Sequence, residues 1–171
     1  MAKTRYNLHM DSKQGSKKMA IKRIAIYDMD GTIVCSLHRY RTIDGKIDLQ
    51  FWRDNEPLAM LDSLLPMAEQ YRADLADSNT YVIIATARVM NDPDWQFVNE
   101  ILGKPDYFIS RKNGDNRSGG LLKVLGLTKF FNLKNFKSAK AVFYEDNVSY
   151  LKTVCDKFKI TGVYVPSEQG H

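Results

Sequence analysis

Cysteine is nearly absent from this 171-residue chain; Cys35 and Cys155 are its only two. Two thiols are too few for a disulfide scaffold and lack metal-site spacing, so a reduced, cytoplasmic protein is expected. Cys35 reads as a small buried hydrophobe. Long apolar runs are missing as well. None approaches the roughly 18–20 residues that span a bilayer, and the N-terminus has no apolar stretch of signal-peptide type. No membrane partner is therefore expected. Internal repeats and low-complexity segments are also lacking. What remains is 44% hydrophobic and 11% aromatic, which suits one packed domain.

Positive charge is in excess at one end only. Residues 1–23 hold Lys3, Arg5, Lys13, Lys17, Lys18, Lys22 and Arg23 against Asp11 alone. The rest of the chain is almost neutral, so the net +5 belongs to the leader. Residues 1–20 read as a basic, flexible leader and 21–171 as the folded domain. Such a leader either steers a polyanion or is simply solvated.

The hydrophobic pattern alternates strands and helices. Apolar strands are expected at Ile24–Tyr27, Tyr81–Ala85, Tyr107–Ile109, Ala139–Tyr144 and Ile160–Val165. Helices are expected over 57–77, Pro93–Leu102, 120–136 (interrupted near Gly126) and Ser149–Phe158. Asp44-Gly45 between β-branched flanks signals a hairpin. This alternation predicts an α/β fold with a doubly wound, Rossmann-like parallel sheet.

The chemistry lies where the strands stop. Ile24–Tyr27 ends in Asp28-Met-Asp30-Gly31-Thr32. Two carboxylates on one face of an extended strand repel unless a cation or shared proton offsets them. In a parallel sheet the carboxyl ends of strands are where ligands bind. Ile83–Ala85 closes on Thr86, with Arg88 two residues on, and Ala139–Tyr144 closes on Glu145-Asp146. Between them lies Arg111-Lys-Asn-Gly114-Asp115-Asn-Arg117, with Lys123 eight residues after Asp115.

The Asp-x-Asp-Gly-Thr run resembles the nucleophile motif of the haloacid dehalogenase superfamily. The resemblance implies a Mg²⁺-dependent phosphomonoesterase in which Asp28 attacks phosphorus and Asp30 is general acid, then base. It implies further that Thr86 and Lys123 hold the phosphoryl group. Asp28, Asp30 and Asp146 would serve the metal, with a contact from the Met29 carbonyl beside Asp30. Glu145 stands where the family often has Asp, and its longer arm allows contact through water or none. The Arg111–Lys123 pattern, together with Arg39 and Arg88, resembles the 3′-phosphatase domain of phage-type polynucleotide kinase–phosphatases. This implies that Arg39, Arg88, Asp115 and Arg117 serve substrate binding, on nucleotides or 3′-phosphorylated polynucleotide ends. Two departures stand out: Gly119 replaces an Asp of that family, and Glu145-Asp146 replaces its paired Asp; the Gly-x-x-x-x-Gly-Lys-Ser/Thr loop of the kinase half does not occur in this sequence.

Only about 50 residues separate Asp30 from the next core strand, so a β-hairpin flap is expected rather than a large cap domain. Arg39 would lie on that flap and read substrate, and Phe51 and Trp52 would anchor it. Plainer readings coexist with these: a strand-end Thr satisfying backbone, a charge-paired surface turn at Asp115 and Arg117, an exposed lysine at 123. A small-metabolite phosphatase and a non-catalytic polyanion-binding module are the alternative functions.

Overall fold

The computed structural model describes residues 21–168; the basic leader expected over 1–20 lies outside the described residues. In chain order the elements are β1 (Arg23–Tyr27), β2 (Val34–Cys35), β3 (Thr42–Ile43), β4 (Lys46–Ile47), α1 (Leu49–Asp54), β5 (Ser63–Leu64) and α2 (Met67–Ala76). β6 (Thr80–Val89), α3 (Asp92–Phe97), β7 (Tyr107–Arg111), α4 (Gly119–Asn132), β8 (Lys140–Glu145), α5 (Val148–Phe158) and β9 (Thr161–Tyr164) follow.

Five strands form one parallel sheet in the order β7-β6-β1-β8-β9. β1 lies at the centre because Ile24, Ala25, Ile26 and Tyr27 have no exposed surface at all. Each large apolar side chain so buried contributes on the order of 2 kcal/mol. Alternation along β1 divides the core in two. Ile24 and Ile26 pack with Leu122 and Leu127 of α4 and Val154 of α5. Ala25 and Tyr27 pack with Tyr71 of α2 and with Phe97 and Val98. Helices therefore cover both faces, as the alternating pattern predicts.

Between β1 and β6 the chain builds a small flap. β2 pairs antiparallel with β5, and β3 with β4. Asp44 and Gly45, at φ 50° and 73°, make the left-handed turn that closes the second pair. Asp48 caps α1 by accepting the Gln50 and Phe51 backbone N–H groups. Nothing larger stands there.

Two expectations change. The helix over 57–77 is broken into a 3₁₀ turn at Glu56–Leu61, the short strand β5 and then α2. Pro66 blocks a continuous helix, and Ser63–Leu64 gains a strand partner in Val34–Cys35 instead. α4 is not interrupted at Gly126. A Cβ there would sit 2.6 Å from the Ile109 side chain, so the glycine lets α4 lie close on β7.

Candidate active site

β6, β1 and β8 are adjacent and in register, with Tyr27 opposite both Ile84 and Tyr144. The residues that follow, Asp28, Thr86 and Glu145-Asp146, therefore reach the same edge of the sheet. The Asp28 N–H donates to the Tyr144 carbonyl at 2.9 Å, which ties the end of β1 to β8.

From α4, Lys123 projects into this edge and is almost wholly buried. Its Nζ lies 2.6 Å from Asp28 Oδ1 and 2.5 Å from Glu145 Oε2. Burial disfavours its charge, but the two carboxylates outweigh that and hold its pKa above the ordinary lysine value. Glu145 is fully engaged, because its other oxygen accepts the Asn147 N–H at 3.1 Å.

Asp28, Glu145 and Asp146 offer oxygens that all lie within 4.8 Å of one another. With Lys123 as the only cation paired to them among the described residues, three ionised acids leave an excess of two negative charges. Burial first, and Glu145 next, push the Asp28 carboxyl up to about 7. Burial and Asp28 push Asp146 up to about 6. The buried Asp146 Oδ2 has no hydrogen-bond partner. A buried carboxylate oxygen without a donor is costly, and an all-oxygen set with two surplus charges fits a hard divalent cation. Asp28 and Asp146 are the acids with oxygens to spare for it. Gly31 keeps the space open: at φ +76°, its Cβ would fall 2.1 Å from Asp146 Oδ2.

Asp30, expected to serve the metal, does not group with these three acids. It turns instead toward Arg88, whose Nε donates to Oδ2 at 3.0 Å while Nη2 pairs with Oδ1. The Ser36 hydroxyl donates to Oδ1 at 2.8 Å. Burial opposes the charge, yet the Arg88 guanidinium and Ser36 hold this carboxyl below the usual range.

The two arginines expected to read substrate are internal. Arg39 has no exposed surface and is not a solvent-facing flap residue. It donates from Nε and Nη2 to the two oxygens of Asp62, at 2.8 and 2.7 Å, and from Nη2 to Asp94 Oδ1 at 2.9 Å. Arg88 donates to Asp94 Oδ1 at 2.7 Å from Nη1. Trp52 anchors the flap by lying over the Arg39 guanidinium, 4.3 Å from ring centre to carbon, while Phe51 lies under Arg41. Acids far away along the chain capture donors that the motifs assign to phosphate.

Thr86 is buried, and its hydroxyl oxygen accepts the Arg88 N–H at 3.1 Å. Asp115 and Arg117 pair with each other in an exposed turn, Nε to Oδ1 at 2.9 Å. Arg111 fastens that turn to the end of β6 by donating to the carbonyls of Ala87, Asp115 and Arg117. Ser36, Asp62 and Asp94 join the site without being singled out by any motif. Asp94 has a sequence signal, Asn91-Asp-Pro-Asp94, but it reads as a helix-capping box, which it also is. Asp62 has none.

Acids at the ends of adjacent parallel strands, a lysine reaching them from a flanking helix and a small flap form the arrangement expected from the resemblance to the haloacid dehalogenase superfamily. The chain belongs to the Bacteriophage T5 5'-deoxynucleotidase family, whose model matches residues 14–159. It is 36% identical over 86 residues to the 5'-deoxynucleotidase of Escherichia phage T5, a match covering 47% of this chain and 35% of that protein. The chain thus spans well under half of that relative's length. Its fold is similar to a chain in the structure of the Pnkp1/Rnl/Hen1 RNA repair complex, with TM-score 0.64, 17% identity, and coverage of 89% of this chain and 45% of that one. A chain in a structure of the Pnkp1/Rnl/Hen1 complex gives TM-score 0.64 and 16% identity over 94% of this chain and 51% of that one. At these identities the likeness concerns the fold. Among the described residues no helix is long and apolar enough to cross a membrane.

Proposed function

We propose that the protein is a Mg²⁺-dependent phosphomonoesterase that hydrolyses nucleoside monophosphates, deoxynucleoside 5′-monophosphates first, through an aspartyl-phosphate on Asp28. The observation that carries this reading is the buried Asp28–Lys123–Glu145 triad beside the unpartnered oxygen of Asp146. Asp28 attacks phosphorus and displaces the nucleoside oxygen. Lys123, 2.6 Å from the attacking carboxylate, favours its ionised form and neutralises charge gathering on the phosphoryl oxygens. The Thr86 hydroxyl accepts a backbone N–H and turns its own proton toward a phosphoryl oxygen. Asp30 protonates the leaving oxygen, then takes a proton from the water that cleaves the acyl phosphate. Asp30 is ionised here, the form that second step needs, and the proton it gives in the first step is one it takes up from the monoanionic phosphate ester as substrate binds. A Mg²⁺ held by Asp28 and Asp146 supplies further charge neutralisation for the phosphoryl oxygens.

The test compares kcat/KM on a deoxynucleoside 5′-monophosphate, a 3′-phosphorylated oligonucleotide and a sugar phosphate, each with Mg²⁺ and with excess chelator. The mononucleotide is expected to lead, and every rate to vanish with chelator. Preference for the sugar phosphate would assign a small-metabolite phosphatase instead. A lead for the oligonucleotide would assign a polynucleotide-end phosphatase, and binding without turnover a polyanion-binding module.

Metal and pH act together on stability. Because Asp28 and Asp146 titrate near 7 and 6 in the fold, the native protein retains protons that the unfolded chain releases above about pH 4. Stability of the metal-free protein from these groups therefore falls as pH rises from about 4 to 7, then levels off. Mg²⁺ competes with protons for the same oxygens. The rise in Tm on adding Mg²⁺ is expected to be clearly larger at pH 7.5 than at pH 5. Equal shifts in a thermal melt at the two pH values would contradict this coupling.

A further inference from the structure

We propose that Asp62 and Asp94 are positioning residues of the phosphatase reaction, acting through Arg88 to aim the Asp30 carboxyl at the leaving oxygen. This rests on the reading of Asp30 as general acid. Asp30 follows β1 in a turn, and its side chain is held there by Ser36 and Arg88. Arg88 grips both Asp30 oxygens with one edge of its planar fork, so the plane of the fork sets the direction of the carboxyl. The opposite side of the fork decides that plane. Nη1 donates to Asp94 Oδ1 at 2.7 Å, and Nη2 also reaches Asp62 Oδ2 at 3.3 Å.

Both acids are themselves fixed to the scaffold. The other Asp94 oxygen accepts the Asn91 N–H at 2.9 Å, which anchors it to the start of α3. Asp62 closes the Glu56–Leu61 turn and is gripped at both oxygens by one edge of the Arg39 guanidinium. The His38 ring nitrogen lies 3.5 Å from Asp62 Oδ1. Arg39 bridges Asp62 and Asp94, and Trp52 covers both guanidinium groups, at 4.3 and 5.1 Å.

Stability alone does not account for this assembly. Burying several charges costs more than packing apolar side chains of the same volume, and apolar replacements of such networks are often neutral or stabilising. Asp62 and Asp94 already balance Arg39 and Arg88 in charge. Asp30 is the third acid, and it is the member of these five that reaches solvent: its side chain is 20% exposed, against at most 1% for the other four. Arg39 Nη1 is buried there without a hydrogen-bond partner, and the network's one opening to solvent is the carboxyl that faces the reaction.

The test uses the full chain with Mg²⁺ and two esters of similar size, p-nitrophenyl phosphate and benzyl phosphate. The first leaving group departs without help, whereas the second needs a proton. kcat/KM reports phosphoryl transfer to Asp28, the step in which that proton moves. Asp94→Asn, Asp94→Ala and Asp62→Asn are expected to lower kcat/KM on benzyl phosphate by about thirtyfold or more, and on p-nitrophenyl phosphate by no more than about threefold. Asp94→Asn, which keeps an acceptor oxygen, should lose less than Asp94→Ala. If Asp94→Ala does not fold, the two Asn variants carry the comparison. Losses equal on both esters, or an unchanged benzyl phosphate rate, overturn the positioning role while turnover by the parent still depends on Asp28. A parent whose turnover survives Asp28→Asn overturns the underlying mechanism, and this inference with it.

Discussion

Asp28→Asn is expected to lower turnover by more than about 10⁴-fold, as removal of a nucleophile does in enzymes that form covalent intermediates. The amide has nearly the same shape but cannot form the acyl phosphate. The fold should tolerate it. Asp28 is buried in a cluster with excess negative charge, and its carboxyl is pushed up to about 7, chiefly by burial and by Glu145. Removing one negative charge relieves that repulsion, while Lys123 keeps Glu145 as its partner. A change in unfolding free energy within about 1 kcal/mol is expected, since the relieved repulsion offsets the lost pair. Steady-state kinetics and a denaturant melt on the same preparation check both halves. Turnover within about tenfold of the parent would sink the nucleophile assignment.

Lys123→Met should do the reverse, costing stability as well as activity. Methionine fills similar space but leaves Asp28, Glu145 and Asp146 buried together without their cation. Breaking a buried pair from one side costs about 3–5 kcal/mol. The loss should be largest near pH 7.5 in chelator. It should shrink toward pH 5, where the acids neutralise themselves by taking up protons, and Mg²⁺ should restore part of it. Turnover is expected to fall by more than about 10³-fold even with Mg²⁺, because the cation proposed to neutralise the phosphoryl oxygens is gone. A loss below about 1 kcal/mol at pH 7.5 would contradict the buried triad.

Much of this site is legible in the amino-acid sequence. Three apolar runs that end in Asp28, Thr86 and Glu145-Asp146 meet at one edge because parallel strands in register deliver equivalent positions together. Lys123 is legible only through the family resemblance that its position eight residues after Asp115 carries. The arginines are only half legible. Arg39 and Arg88 stand out as functional residues, but the acids they bind are Asp62 and Asp94, which lie 23 and 55 residues beyond Arg39. Spacing on a strand or helix reports which side chains share a face, and says nothing of a partner from another element. The helix expected over 57–77 fails for a related reason. Its three-to-four periodicity is real, yet Pro66 and a strand partner at Val34–Cys35 outweigh it.

By itself the sequence determined the doubly wound α/β class, the hairpin at Asp44-Gly45 and the residue types at the strand ends. Each of these follows from local periodicity or from the conformational freedom of a single turn. The tertiary structure alone decided which charges meet. It turned Asp30 away from the acid cluster and onto Arg88, closed Arg39 under Trp52, and left one oxygen of Asp146 without a donor. The reason is physical: the energy of a buried charge depends on every group within a few ångströms, whatever its distance along the chain.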